Sequence, residues 1–244
     1  MVTEPRILFL DIETAPNVAY VWGLFDQNIS HEHLETASYI LCWSAKWSGQ
    51  RRILFSSVYD HKPRTMLAQI HRLLDQADVV VHYNGLKFDI PTLNKEFLKH
   101  GFQPPSPYKQ VDVLRVCRGA FRFESNKLDA VLKALDLGAK VKHRGFSLWL
   151  GCIKGDPACW REMKRYNRHD VRSLERLYTR ILPWIERHPN LSVFNLEKPA
   201  CSNCGSTKVQ QRGKMVAITH WFPRYHCQAC GRWFRGVVQK KKRA

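Results

Sequence analysis

The chain has 244 residues, of which 44% are hydrophobic and 25% are charged. This composition is typical of a folded protein and excludes a chain that is disordered throughout. No apolar run reaches the roughly 18 residues that cross a bilayer, and the opening MVTEPR lacks the apolar stretch of a secretory signal. We therefore expect a protein of the reducing cytoplasm, with no membrane partner.

The charge is strongly positive and concentrated towards the C-terminal end. Lys and Arg number 39 against 21 Asp and Glu, which gives a net charge of +18. Residues 198–244 contain eleven basic and no acidic residues, so this tail carries +11 and the remainder +7 (18 − 11). Neutralisation of phosphates by Lys and Arg releases counterions, so this charge predicts a nucleic-acid partner. A basic face that only aids solubility is the alternative.

The predicted elements alternate between strands and helices, in an order that indicates an α/β domain. We expect residues 1–195 to form this domain and residues 199–244 to form a second, smaller domain. Residues 190–198, where the first domain ends, are expected to be a linker. In chain order we expect strands at 7–13, 39–46 and 52–58, a helix at 63–77, a strand at 78–83, a helix at 91–100, a strand at 109–113, and helices at 127–137 and 157–182.

Two carboxylates stand at the end of the first predicted strand, in the segment ILFLDIETAP. Successive side chains alternate between the faces of a strand, so Asp11 and Glu13 point the same way and repel each other. A cation bound between them would cancel that repulsion.

Two further aspartates are expected at the same end of the sheet. Asp89 follows the fourth strand in HYNGLKFDIP, where it could cap the next helix or join the first two carboxylates. Asp170 continues an apolar helical stripe with Leu174 and Leu177, which places it at the end of a buried face. Four carboxylates together are tolerable where they bind divalent cations such as Mg²⁺ or Mn²⁺.

LDIET, NGLKFD and a Tyr four residues before the last Asp together resemble the three signature motifs of the DEDD exonucleases. This family of 3′-to-5′ exonucleases lies within the ribonuclease H-like superfamily, and the resemblance covers about residues 6 to 182. It implies a mixed five-stranded sheet flanked by helices, with the first strand in the middle beside the fourth. Because position 166 is Tyr and position 165 is Arg, the chain resembles the Tyr branch of the family.

The resemblance also implies the chemistry, which is two-metal hydrolysis of phosphodiester bonds with two Mg²⁺ or Mn²⁺ ions. The implied catalytic residues are Asp11, Glu13, Asp89, Tyr166 and Asp170, of which the four acids are the metal ligands and Tyr166 orients the attacking water. His169 points about 100° away from Asp170 around the helix and is not expected to be catalytic.

Three features near these motifs have both a binding and a structural interpretation. Asn84 could contact substrate or only turn the chain, and Lys87 could contact a phosphate or be solvated. The basic, glycine-punctuated segment 140–156 could line the nucleic-acid channel or be a surface loop with Trp149 anchored in the core.

Four cysteines in the tail form two Cys-x-x-Cys pairs, CSNC and CQAC, each followed by Gly. This spacing is typical of a zinc ribbon, and we expect one structural Zn²⁺ held by Cys201, Cys204, Cys227 and Cys230. Two disulfides are the alternative, disfavoured in a reducing compartment. The other cysteines lack such spacing, and we expect buried thiols at Cys42, Cys117, Cys152 and Cys159.

Aromatic and basic residues alternate between and after the cysteine pairs. The aromatic rings could stack on unpaired bases or form the core of the small domain, whereas the basic side chains are expected to contact phosphates. The expected nucleic-acid-binding residues are Asn84, Lys87, Trp221, Arg224, Tyr225, Arg232 and Arg235, together with the terminal KKKR at 240–243.

The sequence thus predicts a 3′-to-5′ exonuclease that acts on single-stranded nucleic acid, with DNA preferred over RNA. The zinc ribbon would grip the substrate or a replication or repair protein. An RNA-processing or structure-selective nuclease on the same fold is one alternative. A non-catalytic adaptor that works through its ribbon is another, although the complete acidic set argues against it.

Overall fold

A computed structural model of the chain describes residues 4–139, 141–195 and 197–237. The basic run at 240–243 lies outside the described residues, as does the end of the tail. The strands are β1 (Ile7–Thr14), β2 (Val18–Ala19), β3 (Leu34–Thr36), β4 (Ile40–Trp47), β5 (Leu54–Ser57), β6 (Val79–His82), β7 (Lys109–Asp112), β8 (Val209–Val216), β9 (Trp221–Cys227) and β10 (Trp233–Arg235). The α-helices are α1 (Pro63–Asp75), α2 (Asp89–Lys99), α3 (Val113–Ala120), α4 (Leu128–Ala134), α5 (Phe146–Ile153) and α6 (Pro157–Ile181).

The main sheet is mixed and five-stranded, in the order β5-β4-β1-β6-β7. β1 pairs with β4 antiparallel and with β6 parallel, and β6 pairs with β7 parallel. The expectation that the first strand lies centrally beside the strand at 78–83 is confirmed, and so is the ribonuclease H-like fold.

Helices cover both faces of the sheet because its strands are apolar on both sides. On β1, Leu8 and Leu10 pack with the buried residues of α1 and α2, whereas Ile7 and Phe9 pack with α6. The alternation of side chains along a strand therefore assigns each residue of β1 to one of two cores. The long helix α6 lies across β1 and β4.

Two strands, β2 and β3, and two helices, α3 and α5, were not predicted from the sequence. The hairpin of β2 and β3 is short and mostly exposed, so it carries little hydrophobic periodicity. Asp112 caps α3 by accepting from the backbone N–H groups of Leu114 and Arg115. Within the segment 140–156, expected to be a loop, residues 146–153 form α5. The short FSLWLGCI stretch is apolar nearly all round, so it shows no amphipathic pattern.

The C-terminal sheet is three-stranded, in the order β10-β9-β8, and all of its pairings are antiparallel. It rests against the main domain. Asn203 Nδ2 donates to the carbonyl oxygens of Leu182 and Ile185, each at 2.9 Å, and Arg232 Nη1 donates to Pro183 O at 2.8 Å. The expected linker is partly structured, because residues 191–194 form a 3₁₀ helix and Leu191 is buried in the main core.

In the part of the chain that the structure describes, no helix combines the length and apolar character needed to cross a bilayer.

Candidate active site

The first two carboxylates stand at the C-terminal end of β1. Asp11 and Glu13 lie on the face that meets α6, and both are half-buried. Their antiparallel neighbours on β4 are Ser44 and Cys42. Burial and the charges of Glu13 and Asp11 raise the pKa of the Cys42 thiol well above its usual value, so this thiol stays protonated.

The third carboxylate comes from α6, a helix whose start is well defined. Pro157 occupies its first turn, and Asp156 caps it by accepting from the N–H of Ala158 at 2.7 Å. From this start α6 carries Asp170, which is 4% exposed, to the end of β1. Carboxylate oxygens of Asp11, Glu13 and Asp170 lie within 4.8 Å of one another.

This cluster has the chemistry of a divalent cation site. Hard oxygen donors suit Mg²⁺ and Mn²⁺, and a cation removes the cost of holding three like charges together. Because two of the donors come from a strand and one from a packed helix, the fold itself fixes their spacing.

Asn167 is a site residue that the sequence analysis missed. Its Nδ2 donates to Asp11 Oδ2 at 2.6 Å and to Asp11 O at 3.4 Å, and the side chain is fully buried. The amide therefore fixes the rotamer of the Asp11 carboxylate. The signal was present in RYNRHD, where a polar Asn follows Tyr166, but its position about 100° from Tyr166 made it look peripheral.

Tyr166 lies between the carboxylates and an aromatic wall. Its ring packs edge-on against His143, with 4.8 Å between centroids, and against Trp149, at 6.0 Å. Burial, followed by the charges of Asp170 and Glu13, raises the pKa of the Tyr166 hydroxyl far above its ordinary value. The hydroxyl stays protonated at neutral pH and can donate a hydrogen bond.

Trp149 is half-buried and packs against the core, as one of the two interpretations of segment 140–156 anticipated. It reaches this position because α5 packs along α6. At Gly151 an added Cβ would lie 2.2 Å from Cys159 Sγ, so the close approach of these two helices requires a glycine.

Asp89 does not cap α2, because that helix begins at Asp89 itself and its N-cap is Phe88. The carboxylate instead accepts from the backbone N–H of Ile12 at 3.1 Å, between the two acids of β1. Asp89 is 3% exposed, and burial raises the pKa of its carboxyl to about 7. It lies beside β1 but does not belong to the group of three oxygens within 4.8 Å.

The loop that precedes Asp89 is held by a second buried carboxylate. Asp112 accepts from the backbone N–H groups of Asn84 at 3.0 Å and Leu86 at 3.3 Å. Asn84 has a positive φ of 69°, so its main chain makes the turn, and Lys87 is exposed. An added Cβ at Gly85 would lie 2.4 Å from His82 Cγ, which fixes a glycine in this loop.

His169 lies away from the carboxylates, since its Nε2 is 3.0 Å from Ala139 O. The four cysteines without metal-site spacing are all buried thiols, as expected.

The tail cysteines form one cluster. Sγ atoms of Cys201, Cys204, Cys227 and Cys230 lie within 4.8 Å of one another, with 3.7 Å between Cys201 and Cys230 and 3.6 Å between Cys204 and Cys227. A tetrahedral ion with Zn–S bonds of about 2.3 Å separates its sulfur ligands by about 3.8 Å. A disulfide requires about 2 Å. The three-stranded sheet and this cluster therefore fit a zinc ribbon.

The aromatic residues of the ribbon divide between its two faces. Tyr225 stacks on Phe234, with 5.6 Å between centroids, and packs around Gly236 in a small core. On the other face, Arg224 lies 5.1 Å above the ring of Trp233, and Arg235 is the cross-strand neighbour of Arg224.

The expected binding residues of the ribbon are thus only partly brought together. Arg224 and Arg235 are exposed side by side, whereas Trp221 packs beneath Lys214 on β8. Tyr225 belongs to the small core, and Arg232 donates to Pro183 at the contact with the main domain.

Residues 8–182 match the family model RNase_H_2, described as the RNase_H superfamily, and the chain therefore belongs to the RNase H superfamily. Among solved structures it is similar to the family B DNA polymerase from the hyperthermophilic archaeon Pyrobaculum calidifontis, with a TM-score of 0.54 and 18% sequence identity. That similarity covers 74% of this chain and 25% of the polymerase chain, so it concerns the fold of one part of the larger protein. A comparison with curated proteins finds no match.

Proposed function

We propose that the protein is a metal-dependent 3′-to-5′ exonuclease of the DEDD type, in its Tyr branch. The observation that carries the proposal is the meeting of Asp11, Glu13 and Asp170 within 4.8 Å, from two elements far apart in the chain. Membership of the RNase H superfamily supports it, because the acids lie on the central strand and on a helix within the matched residues.

The donor set suits one or two Mg²⁺ or Mn²⁺ ions, with Asp11, Glu13 and Asp170 as the main ligands and Asp89 as the fourth acid. When bound, such ions stabilise the charge that develops on the attacking and leaving oxygens of a phosphodiester. Asn167 holds the Asp11 carboxylate in one orientation, and Asp89 is held against β1 by the Ile12 amide.

Tyr166 orients the attacking water in this proposal. Its hydroxyl keeps its proton and is hydrogen-bonded to Asp170, so it is not a general base, and its oxygen can accept a hydrogen bond from the water. The packing against His143 and Trp149 fixes the ring and so limits the positions that the hydroxyl oxygen can take.

Single-stranded DNA is the proposed substrate, and the exposed face of the ribbon supports strand binding. Arg224 and Arg235 are exposed cross-strand neighbours on this face and supply positive charge for phosphates. Asn84 and Lys87 are proposed to contact the strand near the carboxylates. Contact with a replication or repair protein is a further proposed role of the ribbon.

We also propose one structural Zn²⁺ bound by Cys201, Cys204, Cys227 and Cys230. The sulfur spacing supports this ion, and the thiol-rich donor set suits Zn²⁺ better than Mg²⁺ or Mn²⁺.

The decisive assay uses oligonucleotides of DNA and RNA, labelled at the 5′ end, single- or double-stranded, with Mg²⁺ or Mn²⁺. We expect a ladder that shortens from the 3′ end by single nucleotides, fastest on single-stranded DNA. Asp170→Asn, which keeps the shape of the side chain, is expected to remove activity without unfolding the protein. Internal cleavage or undiminished activity of Asp170→Asn would contradict the proposal.

A further inference from the structure

A basic groove lies at the outer edge of the main sheet, on the opposite side of α6 from the carboxylates. We call it the edge groove. It is lined by Arg52 beside β5, Arg72 of α1, and Lys164 and Arg168 of α6, with His61 between β5 and α1. These residues come from three separate segments of the chain and converge on one surface.

The edge groove and the carboxylates lie on different sides of α6. An α-helix turns about 100° per residue, so Arg168 projects about 200° from Tyr166, and Lys164 about 160°. A helix with its side chains is about 10 Å across, and α6 therefore stands between the two surfaces.

Nothing acidic neutralises the groove among the described residues that line it. The two glutamates of α6 that flank this region are engaged elsewhere, since Glu162 pairs with Arg144 at 2.9 Å and Glu175 pairs with Lys46. Among the described lining residues, the positive charge of the groove is therefore not balanced by any carboxylate.

The basic surface continues along α6 beyond the sheet edge. Lys164 and Arg168 also line a second groove with Arg161, Arg165 and Arg172, again without a carboxylate among the described lining residues. From residue 161 to residue 172 a helix rises about 16 Å, the axial length over which one strand of a DNA duplex carries about five phosphates at 3.4 Å of rise each. Cations that only protected the edge strand β5 from pairing would not need this extension.

We propose that the edge groove binds the phosphate backbone of nucleic acid at a second site, remote from the carboxylates. The positive charge of this surface extends over several turns of α6, which favours an extended polyanion such as a nucleic-acid strand or duplex over a compact anion. A nucleic acid bound there would remain attached while its 3′ end is degraded. This last consequence rests on the proposed function, but the binding itself does not.

The test compares two full-length double variants with the same change in charge. Arg72→Glu with Lys164→Glu alters two exposed residues of the groove, and Lys109→Glu with Arg180→Glu alters two exposed residues outside its lining. Binding of labelled 30-nucleotide DNA, single-stranded and duplex, is measured at several salt concentrations with Ca²⁺ as the only added divalent cation.

We expect the groove variant to bind at least about tenfold more weakly than the control, with a salt slope lower by about 1.4 on single-stranded DNA or about 1.8 on duplex DNA, the values for two lost phosphate contacts. The neutral variant Arg72→Gln with Lys164→Gln should show a smaller change of the same kind, which guards against misfolding of the charge-reversed protein. Equal affinities and equal salt slopes for the groove variant and the control would overturn the proposal. That result is the one expected if the partner of the groove is an acidic protein.

A small substrate allows the catalytic site to be tested independently of the edge groove. The p-nitrophenyl ester of thymidine monophosphate is too short to reach around α6, so the groove variant should hydrolyse it at the wild-type rate. If the wild-type protein hydrolyses neither the ester nor DNA, the exonuclease proposal fails, whereas the binding comparison still decides the edge groove.

Discussion

Asp89 is the residue at which stability and proposed function oppose each other. Burial raises the pKa of its carboxyl to about 7, so the folded protein keeps a proton there that the unfolded chain loses near pH 4. The free energy of unfolding should therefore fall as the pH rises from about 4 to about 7 and stay reduced above that range. A bound cation would offset this cost by favouring the charged form.

We predict that Asp89→Asn stabilises the protein at pH 8 by about 2 kcal/mol, below the ceiling of about 4 kcal/mol for a shift of this size. The Asn oxygen can still accept from Ile12, and the ionisation is gone. Urea unfolding at pH 5 and pH 8, without added divalent cations, measures the effect. The same variant should lose most nuclease activity. A variant that is destabilised at pH 8, or fully active, would contradict this account of Asp89.

Asn167 is expected to act as a positioning residue for Asp11. Asn167→Ala removes the 2.6 Å hydrogen bond to Asp11 Oδ2, so turnover should fall about tenfold and more Mn²⁺ should be needed for half-maximal rate. Ser173→Ala changes another buried polar residue of α6 and serves as the control. If both variants show the same Mn²⁺ dependence as the wild type, Asn167 has only a structural role.

At the scale of elements, the packing of α5 along α6 places Trp149 of the aromatic wall against Tyr166. Gly151 permits their contact, since an added Cβ would lie 2.2 Å from Cys159 Sγ. Gly119 in α3 has nothing within 4 Å of an added Cβ. Both glycines lie near the C-terminal end of an eight-residue helix, so Gly119 can serve as the control for Gly151.

We predict that Gly151→Ala lowers the free energy of unfolding by about 1–3 kcal/mol, because the added carbon overpacks the α5–α6 contact. Gly119→Ala should raise it by about 0.5–1 kcal/mol, because alanine is the better helix former. Thermal or urea unfolding distinguishes the two. Similar effects of both substitutions would mean that the α5–α6 contact is looser than the structure shows.

The elements were largely predictable from the sequence, and the reason is the strength of their periodicity. β1 opens with an apolar run and α6 carries apolar residues at helical spacing, so their carboxylates could be assigned to one face before the fold was known. The short helix α5 was missed because its eight residues are apolar nearly all round and show no helical period. Helix α3 is amphipathic, but it is equally short and follows directly on β7.

Contacts between distant segments were the part that the sequence could not provide. Asn167 lies off the face of Tyr166 on a helical wheel, and only the packing of α6 against β1 shows that it reaches Asp11. The edge groove likewise combines Arg52, Arg72 and Lys164, whose proximity follows from the tertiary fold alone.

At the scale of the whole molecule, the ribbon and the main domain are expected to stabilise each other. Cys204 and Cys230 pack against the main hydrophobic core, and Asn203 bonds two carbonyl groups at the end of α6. Loss of the proposed Zn²⁺ should therefore affect more than the tail.

We predict one zinc per chain by elemental mass spectrometry, and less than about 0.2 in the double variant Cys201→Ser with Cys227→Ser. Its melting temperature should fall by about 5 °C or more, because the ribbon no longer supports the core. Cys152→Ala, a buried thiol outside the cluster, should keep its zinc. Full zinc content in the double variant would assign the metal to other ligands.

The central claim is that acids from β1 and α6 share a divalent cation. Its most direct test is anomalous scattering from crystals soaked in Mn²⁺, with data collected at the manganese edge. We predict a peak in contact with the carboxylate oxygens of Asp11, Glu13 and Asp170, and its loss in Asp170→Asn. Ordered, well-resolved carboxylates with no anomalous peak among them at millimolar Mn²⁺ would contradict the claim.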